Sequence, residues 1–146
     1  LLEMAAYFSD LKQPYPPPEQ VISSPPEIRQ AQKLIQQGDA TRDIPACVGC
    51  HGKQLMGTAP FIPGLLGLPR VYIAAQIGAW KNGGLMRGQE PNCMSDIARQ
   101  LTIEETNVIA AWLAAQPVRE NAKPSDVLPP EMAQRCGSIV QRSAGR

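Results

Sequence analysis

The apolar positions of this 146-residue chain recur at helical spacing in several separate stretches. The opening LLEMAAYFSDL, residues 1–11, reads as the end of an amphipathic helix. In SPPEIRQAQKLIQQGD, Ile28, Ala31, Leu34 and Ile35 fall on one face. Ser24 is placed to cap that helix, Pro25 suits its first position, Glu27 completes a capping box and Gly38 ends it. RVYIAAQIGAWKNGG, 70–84, groups Ile73, Ile77 and Trp80 on one side and stops at Gly83 and Gly84. TIEETNVIAAWLAAQP is the clearest helix. It has a second capping box in Thr102 and Glu105, an apolar stripe of Val108, Ile109, Trp112 and Leu113, and Pro117 as its stop. No stretch shows the two-residue alternation of a convincing strand, so the pattern predicts an all-α fold.

The intervals between these stretches are punctuated by proline and glycine. The chain has 15 prolines, well above the usual share of about 5%. They enforce an extended linker over 12–24 and an irregular path through 40–69, with one turn of helix around the cysteines. Residues 85–101 read as a loop with a short helical piece after Met94. Residues 118–146 have weak periodicity and read as a wrapping tail, with a turn of helix at 130–136. The organisation predicted is thus 1–11 as the end of a preceding domain, 12–24 as linker, 25–117 as the main domain and 118–146 as tail. A short echo between MAAYF at 4–8 and IAAWL at 109–113 supports reading 1–11 as the last helix of an earlier copy. The opening lacks a basic n-region and a small-residue cleavage site, so the chain reads as a mature protein or a piece of a longer one.

Composition changes the picture in two respects. Apolar residues make up 43%, enough for a core, but aromatics are only 5%, and a bulky bound cofactor would relieve that shortage. The net charge of +1 predicts no nucleic-acid partner and no polybasic membrane patch. No apolar run approaches the ~20 residues of a membrane span.

The candidate chemistry lies in ACVGCHGK, 46–53. Cys47, Cys50 and His51 are compatible with a redox dithiol, part of a zinc site or a covalent haem anchor. A redox dithiol usually opens a helix in a βαβ setting, and the strands are missing. Zinc needs four ligands, whereas the chain has one histidine and its other cysteines, Cys93 and Cys136, stand alone. C-x-x-C-H is the pattern of haem c attachment, with Cys47 and Cys50 as thioethers and His51 as iron ligand. A sixth ligand that favours electron transfer is methionine. Of the five methionines, Met86 and Met94 lie between the two well-marked helices, and Met94, just before the short helical piece, has the better context.

From 27 to 116 the chain resembles class I c-type cytochromes, in particular the short domains of the cytochrome c4 and c553 type. CVGCH, TAPFIPGLLG, YIAAQIGAWKNGG and RGQEPNCMSDIARQLTIEETNVIAAWLAAQ follow the family's order and spacing. The resemblance implies a few helices around one covalent haem c, with 25–37 and 103–115 crossing and Trp112 at the crossing. It implies His51 and Met94 as iron ligands. It places the Pro60 carbonyl, or alternatively that of Pro63, on Nδ1 of His51. Trp80 and Arg87 fall near a haem propionate.

Two departures from the family pattern are Cys93, directly before Met94, and the tail with Cys136. Haem attachment of this kind occurs outside the cytoplasm, where disulfides persist. A Cys93–Cys136 disulfide is therefore expected, clamping the tail over the methionine loop. Two free thiols, pairing with another chain, or Cys93 as a thiolate ligand are the alternatives. The function implied is electron transfer by a periplasmic or otherwise extracytoplasmic haem domain that docks transiently with redox partner proteins, with residues 1–11 expected to end a preceding haem domain. The alternative is the haem domain of a larger dehydrogenase or multihaem redox enzyme.

Overall fold

The computed structural model describes residues 2–11, 14–21, 23–59, 62–85, 92–119 and 121–126. Its helices are α1 (Leu2–Asp10), α2 (Pro25–Gln36), α3 (Cys47–His51), α4 (Arg70–Lys81), α5 (Cys93–Gln100) and α6 (Ile103–Ala114), with a 3-10 turn at Ala40–Arg42. Among the described residues only isolated bridges occur in place of strands, so the fold is all-α. None of the described helices is long and apolar enough to cross a membrane.

The helix boundaries follow the capping chemistry. At the start of α2 the backbone N–H and the hydroxyl of Ser24 both donate to the Glu27 carboxylate, at 2.6 and 2.7 Å. Gly38 ends the helix at φ 71°, where a Cβ would overlap the Ile44 carbonyl. At α6 the capping box is reciprocal. Thr102 Oγ1 accepts from the Glu105 N–H at 3.1 Å, and the Glu105 carboxylate accepts from the Thr102 N–H at 2.9 Å. The cap of α5 has no equivalent expectation in the sequence pattern. The Asn92 side chain accepts from the Ser95 N–H at 3.1 Å, and α5 starts at Cys93. Met94 therefore lies within the first turn of this helix, not ahead of it.

Helices α2 and α6 pack together, α4 rests on both α5 and α6, and α3 lies against α2. Ala31, Leu34 and Ile35 of α2 meet Ile109, Ala110, Leu113 and Ala114 of α6 in one buried cluster, which Ile44, Leu55, Ile73 and Leu101 complete. The alanines allow the two helix backbones to approach closely. Burying each Leu or Ile side chain contributes about 1.5–3 kcal/mol. Val108, Ile77 and Trp112 pack against the cluster's edge. Ile28, expected on the packed face, lies in the first turn of α2 and stays 38% exposed.

Polar braces join the segments between helices. The Arg42 guanidinium donates to both oxygens of Glu105, at 2.6 and 3.0 Å, and its Nε donates to Asp39 at 2.8 Å. The proline-rich segment is extended, as expected, yet it is tied down. The Glu19 N–H donates to the Ala114 carbonyl at 2.9 Å, and the Glu19 carboxylate accepts from the Arg70 N–H, also at 2.9 Å. After α6 the chain turns back, and Ser125 pairs with both Gly57 and Ala59. The described part of the tail thus crosses the loop that follows His51. Residues 127–146, including Cys136 and the helical turn expected at 130–136, lie outside the described residues.

Candidate haem-attachment site

The site is built on α3, a short helix that begins at Cys47 and ends at His51. Three- and four-residue spacing on a helix brings Cys47, Cys50 and His51 to adjoining positions of one surface. Cys47 packs against the core cluster, beside Val48. Both cysteines are half-buried, and neither is in a disulfide. Burial pushes the Cys47 thiol up to about 11, so it stays protonated at neutral pH. A redox dithiol has the opposite electrostatics, with one thiol depressed by its surroundings. Among the described residues there is no group of three or more His, Cys, Asp and Glu side chains able to hold a metal ion by themselves.

His51 is buried, at 6% exposure. Its Nδ1 lies 2.8 Å from the Pro63 carbonyl oxygen. A carbonyl only accepts, so Nδ1 carries the proton and Nε2 keeps its lone pair. Burial also lowers the imidazole pKa, and the Pro63 bond opposes this without reversing it. The ring is neutral at neutral pH, as a metal ligand must be. The role expected of Pro60 thus falls to Pro63, the alternative named for it. The loop must first double back to bring a carbonyl to the ring, and it does so through a close pair between Thr58 and Ile62. Each N–H of that pair donates to the other's carbonyl at 2.9 Å. Pro60 itself lies outside the described residues.

Thr58, which sequence reasoning passed over, is 2% exposed, and its hydroxyl donates to the Cys50 carbonyl at 2.7 Å. Gly57 has φ 92°, and its N–H donates to the His51 carbonyl at 2.8 Å. A Cβ at Gly57 would collide with the Ile62 carbonyl. The glycine and proline content of this loop signalled a turn, but the threonine's partner could not be read from local pattern.

Trp80 is half-buried near the end of α4, and Met94 is half-buried in the first turn of α5. These two helices pack on each other, so both residues belong to one helical pair. Met86 and Arg87 lie outside the described residues. Two half-buried thiols on one helical surface, followed by a buried neutral imidazole with a free Nε2, form a donor set that fits covalent haem c.

No family model matches the chain. Its sequence is 34% identical over 73 residues to cytochrome c-554(548) of Halomonas halodenitrificans, covering 50% of this chain and 87% of that protein. It is 36% identical over 118 residues to the thiosulfate dehydrogenase electron acceptor of Thiomonas intermedia (strain K12), covering 79% of this chain and 52% of that protein. Among solved structures, cytochrome c4 of Acidithiobacillus ferrooxidans superposes with a TM-score of 0.62 at 28% identity, covering 78% of this chain and 62% of that one. The helical fold and the haem-attachment helix define an electron-transfer domain of the c type. The chain belongs to the class I c-type cytochromes, and its function is electron transfer by a c-type haem domain. It spans about half the length of several of the curated relatives it matches, the Thiomonas protein among them.

Proposed function

We propose that this domain is an electron carrier in which His51 Nε2 and Met94 Sδ hold the iron of one haem c, attached through thioethers at Cys47 and Cys50. The observation that supports this most directly is the bond from His51 Nδ1 to the Pro63 carbonyl, which leaves Nε2 as the donor. When bound, haem c supplies an iron centre that alternates between ferrous and ferric states. A methionine ligand favours the ferrous state and raises the potential. Retaining His51 and Met94 in both states keeps reorganisation small. Trp80 and Arg87 carry N–H groups suited to the propionates.

The same reading extends to the rest of the chain. Attachment of haem c belongs to the periplasm or another extracytoplasmic compartment, and Cys93 is assigned a disulfide to Cys136. In support, neither Cys47 nor Cys50 takes part in a disulfide, which leaves Cys136 as the partner of Cys93 within the chain. Helix α1 is assigned to the end of a preceding haem domain, and its exposed Leu2, Tyr7 and Phe8 suit that role. The Thiomonas relative is named as an acceptor of electrons from thiosulfate dehydrogenase, and a thiosulfate-oxidising enzyme is the donor proposed here. Docking is transient, as redox encounters are.

The test is a visible spectrum of the protein produced with haem c maturation, followed by carbon monoxide addition to the reduced form. Wild type is expected to hold haem that survives denaturation and to bind carbon monoxide slowly. Met94→Ala is expected to bind it rapidly. Rapid binding by wild type would instead favour a haem domain that acts on a small substrate within a larger dehydrogenase.

A further inference from the structure

The segment after α6 makes a contact that the haem-domain reading leaves unused. Residues 121–126 return to the loop that follows His51. The Ser125 N–H donates to the Gly57 carbonyl at 2.9 Å, and the Ala59 N–H donates to the Ser125 carbonyl at 2.8 Å. These two bonds bracket Thr58. Thr58 in turn pairs with Ile62, the residue before Pro63, and its hydroxyl holds the Cys50 carbonyl. Gly57 donates to the His51 carbonyl at 2.8 Å. The tail is therefore two hydrogen bonds from the backbone of His51 on one side, and one residue pair from its Nδ1 acceptor on the other. Contact is close: a Cβ at Gly52 would come within 2.8 Å of Ser125 Oγ.

We infer that Ser125 is a positioning residue for His51, acting through its backbone: the tail clamps the 57–63 loop so that the Pro63 carbonyl stays on His51 Nδ1. This rests on His51 being the iron ligand. The consequence is electronic as well as structural. A histidine whose N–H is firmly held by a carbonyl is a more basic ligand, and hydrogen bonding beyond the ligands is one lever on haem potential. A more basic imidazole favours the ferric state. Releasing the clamp lengthens the Nδ1–H···O bond on average, makes His51 a weaker donor and shifts the equilibrium toward ferrous.

The contact uses backbone groups, which separates two substitutions at one position. Ser125→Pro removes the N–H that donates to Gly57, whereas Ser125→Ala retains it. With haem-loaded protein titrated against a fixed one-electron reference couple, Ser125→Pro is expected to move the ferrous/ferric ratio about threefold to tenfold toward ferrous. Tenfold corresponds to about 59 mV for one electron. Ser125→Ala should stay within about twofold. The His51 Nδ1 proton, followed by NMR, should exchange faster with solvent in Ser125→Pro and at the wild-type rate in Ser125→Ala. Should Ser125→Pro fail to fold, Pro124→Gly loosens the same segment while leaving every bonded group in place. It should show a smaller shift of the same sign and faster exchange of the Ala59 amide. An unchanged potential and unchanged Nδ1–H exchange in a variant whose Ala59 amide has lost protection would overturn the inference. A wild-type protein that takes up no covalent haem would overturn the site assignment itself, and this inference with it.

Discussion

At the scale of single residues, the site depends on which atoms are already occupied. His51 spends Nδ1 on Pro63 and so presents Nε2. Cys47 is kept protonated by burial, which preserves the thiol for attachment and withholds it from disulfide exchange. Thr58 does comparable work for the helix carrying the thiols, since its hydroxyl satisfies the Cys50 carbonyl. Thr58→Val keeps the shape and removes that donor. It is expected to cost about 0.5–1.5 kcal/mol in thermal or denaturant unfolding of the haem-loaded protein, and no loss at all would show that water replaces the hydroxyl. The Arg42 cluster carries a pH prediction. Hydrogen bonding to Arg42 holds the Glu105 carboxyl below its ordinary value of 4.5. Asp39 is drawn down to about 2, first by Thr41 and then by Arg42. Lowered carboxylate values mean that the stabilisation is complete above the unfolded-state values near 4 and is lost as pH falls through the folded ones. The melting temperature should therefore drop on acidification below about pH 4.5. Glu105→Gln should be less stable at pH 7 and show a shallower acid dependence. An unaltered slope in that variant would assign the acid sensitivity to other carboxylates.

At the scale of elements, the helices were legible because their ends and faces are written locally. Ser24 with Glu27, Thr102 with Glu105, and Gly38 form caps whose partners lie within a few residues, and each is where the pattern put it. Thr102→Ala should cost about 1 kcal/mol, read as a lower unfolding midpoint. The apolar stripes were legible for the same reason, and Leu113, 1% exposed, lies at the centre of the α2–α6 contact. Leu113→Ala should lose about 2–5 kcal/mol, and a loss under 1 kcal/mol would mean that the helices close over the gap. Where local pattern fell short, a tertiary fact decided. Ile28 shares the period of α2 yet remains outside the buried cluster. Glu105 reads only as a local cap, but it is also buried where Arg42, far away in sequence, reaches it with both terminal nitrogens. Asn92 and Ser95 form a cap for α5 that lacks the usual acidic partner, so the helix was placed two residues late.

At the scale of the whole molecule, what could not be read is how the irregular segments are tied to the helices, because a one-residue bridge carries no periodicity. The motif C-x-x-C-H was readable at once, but the Pro63 carbonyl and the return of Ser125 are set by loop geometry across many residues. The proline-rich segment shows the same limit from the other direction. Its composition indicates an extended linker, and extended it is. Yet Glu19 joins two helix ends, giving its backbone N–H to the last carbonyl of α6 and its carboxylate to the first N–H of α4. A negative charge at a helix N-terminus and an N–H at a C-terminus both complement the macrodipole. Nearby, a Cβ on Gly67 would run into the Tyr15 ring, which shows how closely that ring lies on the chain before α4. Residues 14–21 are thus held to the domain at defined points, and a segment so held resists proteolysis in proportion to the free energy of its release. Glu19→Ala removes the carboxylate but not the backbone donor, so it should accelerate cleavage within 14–21 several-fold and leave cleavage elsewhere unchanged. The haem-loaded protein should retain its spectrum throughout, since none of these contacts touches α3. Equal cleavage rates in wild type and variant would mean that the backbone bond and Tyr15 hold the segment without the carboxylate. A general rise in cleavage would instead make Glu19 part of the domain's global stability and not a local fastening of the linker.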